Sequence, residues 1–295
     1  MSRAQLLLTR TRRAFNVVQL LIVLVILFVA VVLLLPALAR PRINRRDVRD
    51  GTQIRNVVQS MAIFANGNRD RYPLPSLLDA DNQTIAETGR AKDTTNNVLS
   101  ILVFSCFISP ELLYSPSEAD DRIKIHAGYQ TANPSAAVNP QKALWDPSLR
   151  ADFTTGDGHI SYATQMTSGD ADKMNGRLAW WMNTFNATEA VLGNRGPLVT
   201  GLDAKGNILH DTTSKTMLIH GGRTTWEGNI AYNDNHVNFE TRMDPEEITY
   251  RVVGSKSRPD IFFYDEPDAA DGLNAYLGIW VKAGIFPSEF TGIHD

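Results

Sequence analysis

Cysteine is almost absent from this sequence, because Cys106 is the only one among 295 residues. No disulfide can therefore form within one chain. Cys106 lies in the apolar stretch LSILVFSCFISPELL, which predicts a buried thiol that packs as a small hydrophobic side chain.

Basic residues are scarce beyond position 50. Residues 1–50 carry nine Arg against Asp47 and Asp50, which leaves 20 basic and 30 acidic residues for positions 51–295, a net charge of −10. An acidic body without a basic patch argues against a nucleic acid partner. G-x-S-x-G, H-E-x-x-H and phosphate-loop motifs are also missing, so no catalytic motif indicates an enzyme.

One segment has almost no polar residues. Between Phe15 and Leu35 only Asn16 and Gln19 are polar. A helix needs roughly 17 to 25 apolar residues to span a bilayer, whereas the apolar part of a secretory signal has about 7 to 15. The length therefore predicts a transmembrane helix over residues 15–40.

A cleaved export signal is the alternative interpretation of this segment. Ala37 to Ala39 have the small-x-small form of a signal peptidase site, and TRRAF at Thr11 to Phe15 is similar to a twin-arginine motif. On this interpretation the chain is an exported binding module or enzyme that is released near Ala39.

The start of the chain resembles the class III signal of type IV prepilins and type II secretion pseudopilins. A basic leader over residues 1–14 contains Arg12 and Arg13 and ends at the small residue Ala14, and Phe15 follows. The resemblance implies cleavage after Ala14 by a prepilin peptidase and methylation of Phe15. Family members usually carry Gly before the cut and Glu where this chain has Gln19.

Gln19 changes what the resemblance implies about assembly. In the family, the Glu pairs inside the membrane with the free amine of a neighbouring subunit, where an unpaired charge is expensive. Gln19 can accept a hydrogen bond from that amine but cannot neutralise it. We therefore expect a minor component rather than a major fibre subunit, with other pilin-like subunits as partners.

The residues after the apolar segment predict an amphipathic stem helix over 41–68. Apolar residues recur near helical spacing at Ile43, Val48, Ile54, Val57, Val58, Met61 and Ala65. NGN at 66–68, followed by Tyr72-Pro73, predicts the end of the helix. Residues 69–295 then form an extracytoplasmic globular head, and the expected fold is α+β, with the long helix packed on a mainly antiparallel sheet as in pilins.

Five further segments are similar, in order, to proteins that carry the H-X9-DG prepilin-associated domain. In chain order they are MAIFANGNRDRYP, LLYSPSEADD, ISYATQM, VLGNRGP and the closing HGGRTTWEGNIAYNDNHVNFE. The resemblance implies a turn at VLGNRGP. In the closing motif the matching residues are His220, Gly221, Gly222, Gly228, Asn229, Asp234, Asn235 and His236. The spacing from His220 to Asp234 is longer than in the family, and Asn235 replaces Gly.

The closing motif also predicts a hairpin, because apolar residues alternate on both sides of Asn233–Asn235. His220, Asp234 and His236 are weak candidates for a metal site across such a sheet. Asp203 and Asp211 are weak candidates for a calcium loop, although a polar turn explains them equally well. No cofactor is otherwise indicated.

These expectations together describe a single-pass protein of the inner (cytoplasmic) membrane with its head outside the cytoplasm. It would be a structural or accessory subunit of a type II secretion or type IV pilus-like machine, and not an enzyme.

Overall fold

The computed structural model of the protein describes residues 17–222 and 224–295. In the first helix it describes the side chains of Val17, of residues 20–29 and of those from Arg46 onward.

The chain divides into two compact units, Met1–Arg45 and Arg46–Asp295. Helix α1 is assigned over Val17–Asn66 and therefore supplies residues to both. In the first unit, the ten apolar side chains from Leu20 to Val29 are each between 49% and 70% exposed. Within the part of the chain that the structure describes, no helix is both long and apolar enough to cross a membrane. The predicted span, residues 15–40, extends outside that part.

The second unit is α+β with a mainly antiparallel sheet. Its main sheet has six strands in the order β10-β9-β1-β2-β5-β6, and every neighbouring pair is antiparallel. These strands are β1 (Tyr162–Gln165), β2 (Ala190–Asn194), β5 (Gly228–Tyr232), β6 (Val237–Glu240), β9 (Leu277–Lys282) and β10 (Thr291–Ile293). Two small sheets pair β3 (Val199–Leu202) with β4 (Ile208–His210), and β7 (Thr249–Tyr250) with β8 (Arg258–Pro259).

The second half of α1 packs against this sheet through one apolar stripe. Ile54, Val57, Val58, Met61 and Ala65 are at most 1% exposed. Burial of each of the four larger side chains contributes about 1.5–3 kcal/mol. Val48 does not follow the pattern, because its side chain is exposed. The buried stripe therefore begins after Val48, although the periodicity places Val48 on it.

Helix α1 ends at Asn66, as predicted, but the left-handed residues come later than expected. Arg69 and Asp70 have φ values of 57° and 58°, whereas Gly67 and Asn68 are not left-handed. The backbone N–H groups of Asn68 and Asp70 both donate to the carbonyl of Ala65. These two bonds close the helix before the chain reaches Tyr72.

The central strands β1, β2 and β5 are buried on both faces, whereas the edge strands β6 and β10 are partly exposed. One face carries Tyr162, Val191 and Ala231, which lie in one cluster with the α1 stripe and with helix α3 (Thr95–Phe104). The other face carries Ala163 and Ile230, which pack with the aromatic residues Trp226, Tyr232, Phe262 and Phe263. The remaining helix, α2 (Pro75–Leu78), is a single turn.

Two local predictions are wrong. Cys106 is exposed, with a φ of 58°, because it follows the end of α3 at a left-handed position that turns its side chain away from the core. VLGNRGP is not a turn at its start: Val191 to Asn194 form the end of β2, where pairing with β1 and β5 satisfies the backbone.

The acidic, aromatic segment near the C-terminus packs into the second cluster. Phe262 and Phe263 are fully buried there, and two carboxyl groups, those of Asp260 and Glu266, are buried with them. Asp260 Oδ2 accepts a bond from the N–H of Ala275, but its Oδ1 has no partner among the described residues. Burial raises the pKa of both carboxyl groups, and the charge of Asp260 raises that of Glu266 further.

A raised carboxyl pKa predicts that Asp260 destabilises the folded head at alkaline pH. The stability that the protonated carboxyl group contributes is fully present below the ordinary carboxyl pKa. It is lost as pH rises through the raised pKa of the folded protein. Asp260→Asn keeps the acceptor for Ala275 and removes the charge. We expect it to raise the free energy of unfolding at pH 8 by about 1–3 kcal/mol and to leave it nearly unchanged at about pH 3.5, below the ordinary carboxyl pKa of 3.8.

Denaturant titration of the full chain in detergent at both pH values measures this. Exposed Asp121→Asn is the matched control, with little effect at either pH. An equal effect of Asp260→Asn at both pH values would contradict the titration argument.

Candidate functional site

Asp50 is the centre of a buried polar cluster on α1. Asp50 is 0% exposed. Its Oδ1 accepts hydrogen bonds from Ser115 Oγ at 2.5 Å and from Tyr162 OH at 3.0 Å. Ser115 lies in a loop and Tyr162 begins β1, so this one oxygen joins the helix to two distant segments of the head.

The other oxygen of Asp50 binds the closing motif. Asp50 Oδ2 lies 3.0 Å from His220 Nε2 and 2.9 Å from Asn229 Nδ2. The second ring nitrogen of His220, Nδ1, lies 2.7 Å from Asp47 Oδ1. Because ionised carboxylates only accept hydrogen bonds, both ring nitrogens must donate, which makes the ring a protonated imidazolium.

The pKa directions agree with this charge assignment. Burial lowers the pKa of His220, but its hydrogen bonds to Asp50 and Asp47 and their charges outweigh burial, so the pKa is raised. Burial raises the pKa of Asp50, but hydrogen bonds from His220, Ser115 and Asn229 outweigh it, so the pKa is lowered. Both groups are therefore charged together across the range between their ordinary values.

We call this set the Asp50 cluster. Its members are Asp47, Asp50, Ser115, Tyr162, Asn194, His220 and Asn229. Asn194 belongs to it because its Oδ1 accepts the backbone N–H of Asn229 at 2.7 Å. Ser115, Tyr162 and Asn194 come from three of the segments that resemble the H-X9-DG proteins, and His220 and Asn229 come from the closing motif. Segments far apart in the sequence thus meet on one carboxylate.

A buried ion pair extends the same connections. Arg195 Nη2 lies 2.5 Å from Glu118 Oε1, and both side chains are at most 1% exposed. The guanidinium stands 4.9 Å from the centre of the Phe153 ring, and the carbonyl of Arg195 accepts Trp226 Nε1 at 2.9 Å. Arg195 and Glu118 therefore hold the VLGNRGP and LLYSPSEADD segments together.

The closing motif forms the predicted hairpin of β5 and β6. Asn235 takes a φ of 67° in its turn, the conformation for which Gly is usual and which Asn tolerates. Asp234 Oδ1 bonds both the N–H and the ring Nδ1 of His236. The His236 ring stacks on Tyr232 at 4.5 Å. The Asn-for-Gly departure from the family pattern is thus compatible with the turn.

Two glycines of the closing motif are required by close contacts. A Cβ on Gly221 would lie 2.2 Å from the carbonyl oxygen of Thr225, and a Cβ on Gly228 would lie 2.6 Å from the Trp226 ring. A Cβ on Gly222 would meet nothing within 4 Å.

The structure does not bring the weak metal candidates together. His220 bonds α1 at the Asn229 end of the hairpin, whereas His236 lies against Tyr232 on the other face of the sheet. Asp203 and Asp211 lie at opposite ends of the β3–β4 hairpin, where they accept hydrogen bonds from Asn207 and Thr213. Among the described residues, no three His, Cys, Asp or Glu side chains could hold one metal ion. Calcium binding stays a prediction.

The Asp50 cluster is suited to holding segments together rather than to catalysis. His220 and Asp50 are both enclosed, with side chains at most 1% exposed, so no substrate reaches them. The two ring nitrogens of His220 point at different carboxylates, which leaves neither free to move a proton.

The structure does not describe the predicted processing residues. Arg12, Arg13, Ala14 and Phe15, with the whole leader, lie outside the residues that the structure describes, and so does the side chain of Gln19.

Comparison of the chain with protein-family models, with curated proteins and with solved structures finds no match. Functional inference therefore depends on the residues and contacts described above.

Sequence reasoning missed Asp47 and Asp50. They are the only acidic residues among the first 50, and Asp50 stands four residues before Ile54, on the stripe that the helix buries. A carboxylate at a core position of an amphipathic helix is unusual unless it has partners. That position is the signal that could have found the cluster.

Removal of the Asp50 charge should strongly destabilise the head. Asp50→Asn leaves Asp47 as the one carboxylate that pairs with the His220 cation. It also places an amide N–H₂ group among hydrogen-bond donors that need an acceptor. We expect a loss of about 3 kcal/mol in the free energy of unfolding of the full chain. Asp47→Asn is the matched control: it breaks one contact at a partly exposed carboxylate, which contributes about 1 kcal/mol or less. Equal losses in the two variants would show that Asp50 is not the centre of the cluster.

Gly51→Ala should destabilise the protein although Ala favours helices. The new Cβ would lie 2.9 Å from Asn229 Oδ1 and displace a donor of Asp50. We expect a net loss of about 1–2 kcal/mol, against the gain of about 1 kcal/mol that helix propensity alone predicts. Exposed Thr52→Ala, one position on, should be neutral or slightly stabilising. Thermal unfolding followed by circular dichroism distinguishes the two, and a more stable Gly51→Ala variant would contradict the close contact.

Proposed function

We propose that the protein is a membrane-anchored, pilin-like subunit or accessory of a type II secretion or type IV pilus-like machine. The observation that carries this proposal is the helical run from Leu20 to Val29, whose ten apolar side chains are all about half or more exposed. A helix that is apolar all round needs an apolar environment. The sequence continues this run to Leu35, which supports a bilayer as that environment.

The leader supports the same proposal by its order of residues. Arg12 and Arg13 precede the small residue Ala14, and Phe15 begins the apolar segment. We infer that a prepilin peptidase cleaves after Ala14 and that Phe15 becomes the methylated start of the mature chain. The head would then lie outside the cytoplasm.

The second unit is consistent with the pilin arrangement of stem and head. The stripe of α1 from Ile54 to Ala65 packs on one face of an antiparallel sheet. This support is at the level of architecture, which many functions share. The pilin-like fold is therefore part of the proposal.

Gln19 favours a minor or tip position. A neutral amide accepts a hydrogen bond from a neighbour's amine but does not balance its charge, and an unbalanced charge in the bilayer costs at least about 2.5–3.5 kcal/mol. A long filament repeats this cost at every subunit, whereas a tip requires it once or not at all.

The mature N-terminus tests the proposal. The full chain, produced in a host that has a prepilin peptidase, should yield an N-terminal peptide that starts at methylated Phe15. Ala14→Leu should leave the precursor uncut, because a bulky side chain does not fit a peptidase pocket shaped for Gly or Ala. Mass spectrometry of the N-terminal peptide measures both.

Ala39→Leu is the matched control for this experiment. It leaves processing after Ala14 unchanged but blocks a signal peptidase, which requires small residues at Ala37 and Ala39. A mature chain that starts at Arg40, with Ala39→Leu uncut and Ala14→Leu normal, would replace the proposal by an exported binding module or enzyme.

A further inference from the structure

A short basic segment lies where α1 enters the second unit. Residues 40–49 contain Arg40, Arg42, Arg45, Arg46 and Arg49, and their one acidic residue is Asp47. Positions 51–295, by contrast, carry a net charge of −10. Arg46 and Arg49 are exposed and form no ion pair with any described residue. This end of the acidic second unit therefore presents positive charge.

The carboxylates nearest to these arginines in the sequence are occupied elsewhere. Asp47 Oδ1 lies 2.7 Å from His220 Nδ1, and Asp50 Oδ2 lies 3.0 Å from His220 Nε2. Both aspartates thus balance the buried imidazolium of His220. The charges of Arg46 and Arg49 are left to interact with partners outside the chain.

Exposed apolar groups lie beside the same arginines. Val48, next to Asp47, is 70% exposed. The ring of Phe239 is 41% exposed and meets the His220 ring edge to face, with 5.6 Å between the ring centres. Leu218, two residues before His220, is 51% exposed. We call this set the basal surface; its members are Arg46, Val48, Arg49, Leu218 and Phe239.

Cations combined with apolar groups suit one kind of partner. The boundary between lipid headgroups and acyl chains takes up apolar side chains, and anionic headgroups attract the basic ones. An acidic protein partner would satisfy the arginines as well, but the neighbouring chain segment favours lipid, because the predicted transmembrane segment ends at residue 40.

The distance along the chain allows this contact. Helix α1 is assigned through these residues, and a helix rises about 1.5 Å per residue, so Arg46 and Arg49 follow residue 40 by about 9 Å and 14 Å. The headgroup layer extends roughly 5–8 Å beyond the hydrocarbon on each side. Charges interact over about 8–10 Å at physiological salt. Both guanidinium groups are therefore within electrostatic reach of the headgroups.

We propose that the basal surface binds anionic phospholipid headgroups of the membrane that anchors the chain. The inference rests on the anchor in the proposed function. A guanidinium group pairs with phosphate through two parallel hydrogen bonds, which suits arginine to this role. The acidic remainder of the head is repelled by the same lipids, so attraction at the basal surface and repulsion elsewhere hold this end of the head at the membrane.

Arginine labelling of the full chain in lipid nanodiscs tests the inference. Phenylglyoxal is uncharged, so the lipid charge does not change its local concentration, and mass spectrometry gives the labelling rate of each arginine. With a single chain per disc, Arg46 and Arg49 should react about fivefold more slowly in discs that contain phosphatidylglycerol than in discs of phosphatidylcholine alone. At 1 M NaCl the difference should disappear, because the screening length falls to about 3 Å.

Two controls accompany this measurement. Arg69 is exposed beyond the other end of α1, about 25 Å or more from Arg49 along the helix, and should react equally in both kinds of disc. Soluble glycerol phosphate added to phosphatidylcholine discs should protect neither Arg46 nor Arg49. This second control separates a lipid surface from a site for a free phosphate.

A pair of variants sharpens the test. Arg46→Gln should reduce the protection of Arg49 by roughly two- to fivefold, because one of the two attractive charges is lost. Arg69→Gln is the matched control and should leave the protection of Arg49 unchanged. Both replaced side chains are exposed, so the fold should be unaffected.

The outcomes separate this inference from the proposed function. An anchored chain whose Arg46 and Arg49 react equally in the two kinds of disc would overturn the inference alone. Protection that persists at 1 M NaCl, or that requires several chains in one disc, would also overturn it, the latter by assigning the surface to a second copy. A chain that starts at Arg40 and stays free of the discs would overturn the proposed function and this inference with it.

Discussion

The buried carboxylate of Asp50 is the interaction on which the arrangement of the head depends. An ionised carboxylate in the interior is tolerated only when its oxygens are saturated with donors. Here the four donors are Ser115, Tyr162, His220 and Asn229, which belong to three separate segments of the chain. A shift of α1 by one turn would separate the carboxylate from all four, so the cluster fixes the position of the helix as well as its face.

Buried polar pairs also explain how a chain with long loops keeps a defined shape. Strands occupy a small part of the head, and much of the rest has no regular backbone pairing. Lys92 and Asp79 form a pair at 2.8 Å with side chains at most 2% exposed, and Arg195 and Glu118 form another. Lys92 and Asp79 join a 3-10 turn to the end of α2, and Arg195 and Glu118 join the residue after β2 to a loop. Such pairs contribute little net stability compared with apolar contacts, but they specify which loop meets which.

Local features of the fold could be predicted from the sequence, and long-range ones could not. The hairpin of β5 and β6 and the end of α1 near Asn66 follow from patterns within about ten residues, and both predictions are confirmed. The partners of Asp50 lie up to 179 residues away, so no local pattern indicates them. The sequence does mark His220 and Asn229 through a resemblance, but it gives no reason to join them to a helix. Cys106 was mispredicted because hydrophobic context outweighed the helix end that precedes it.

The same contacts determine where function can lie in this molecule. In the Asp50 cluster both ring nitrogens of His220 and both oxygens of Asp50 are already bonded, so these groups have no capacity left for a ligand. The residues of the closing motif at this cluster therefore form a structural connection, and substitutions there change stability first. Unsatisfied chemistry lies elsewhere. It is found in the exposed apolar residues of α1, which need an apolar environment.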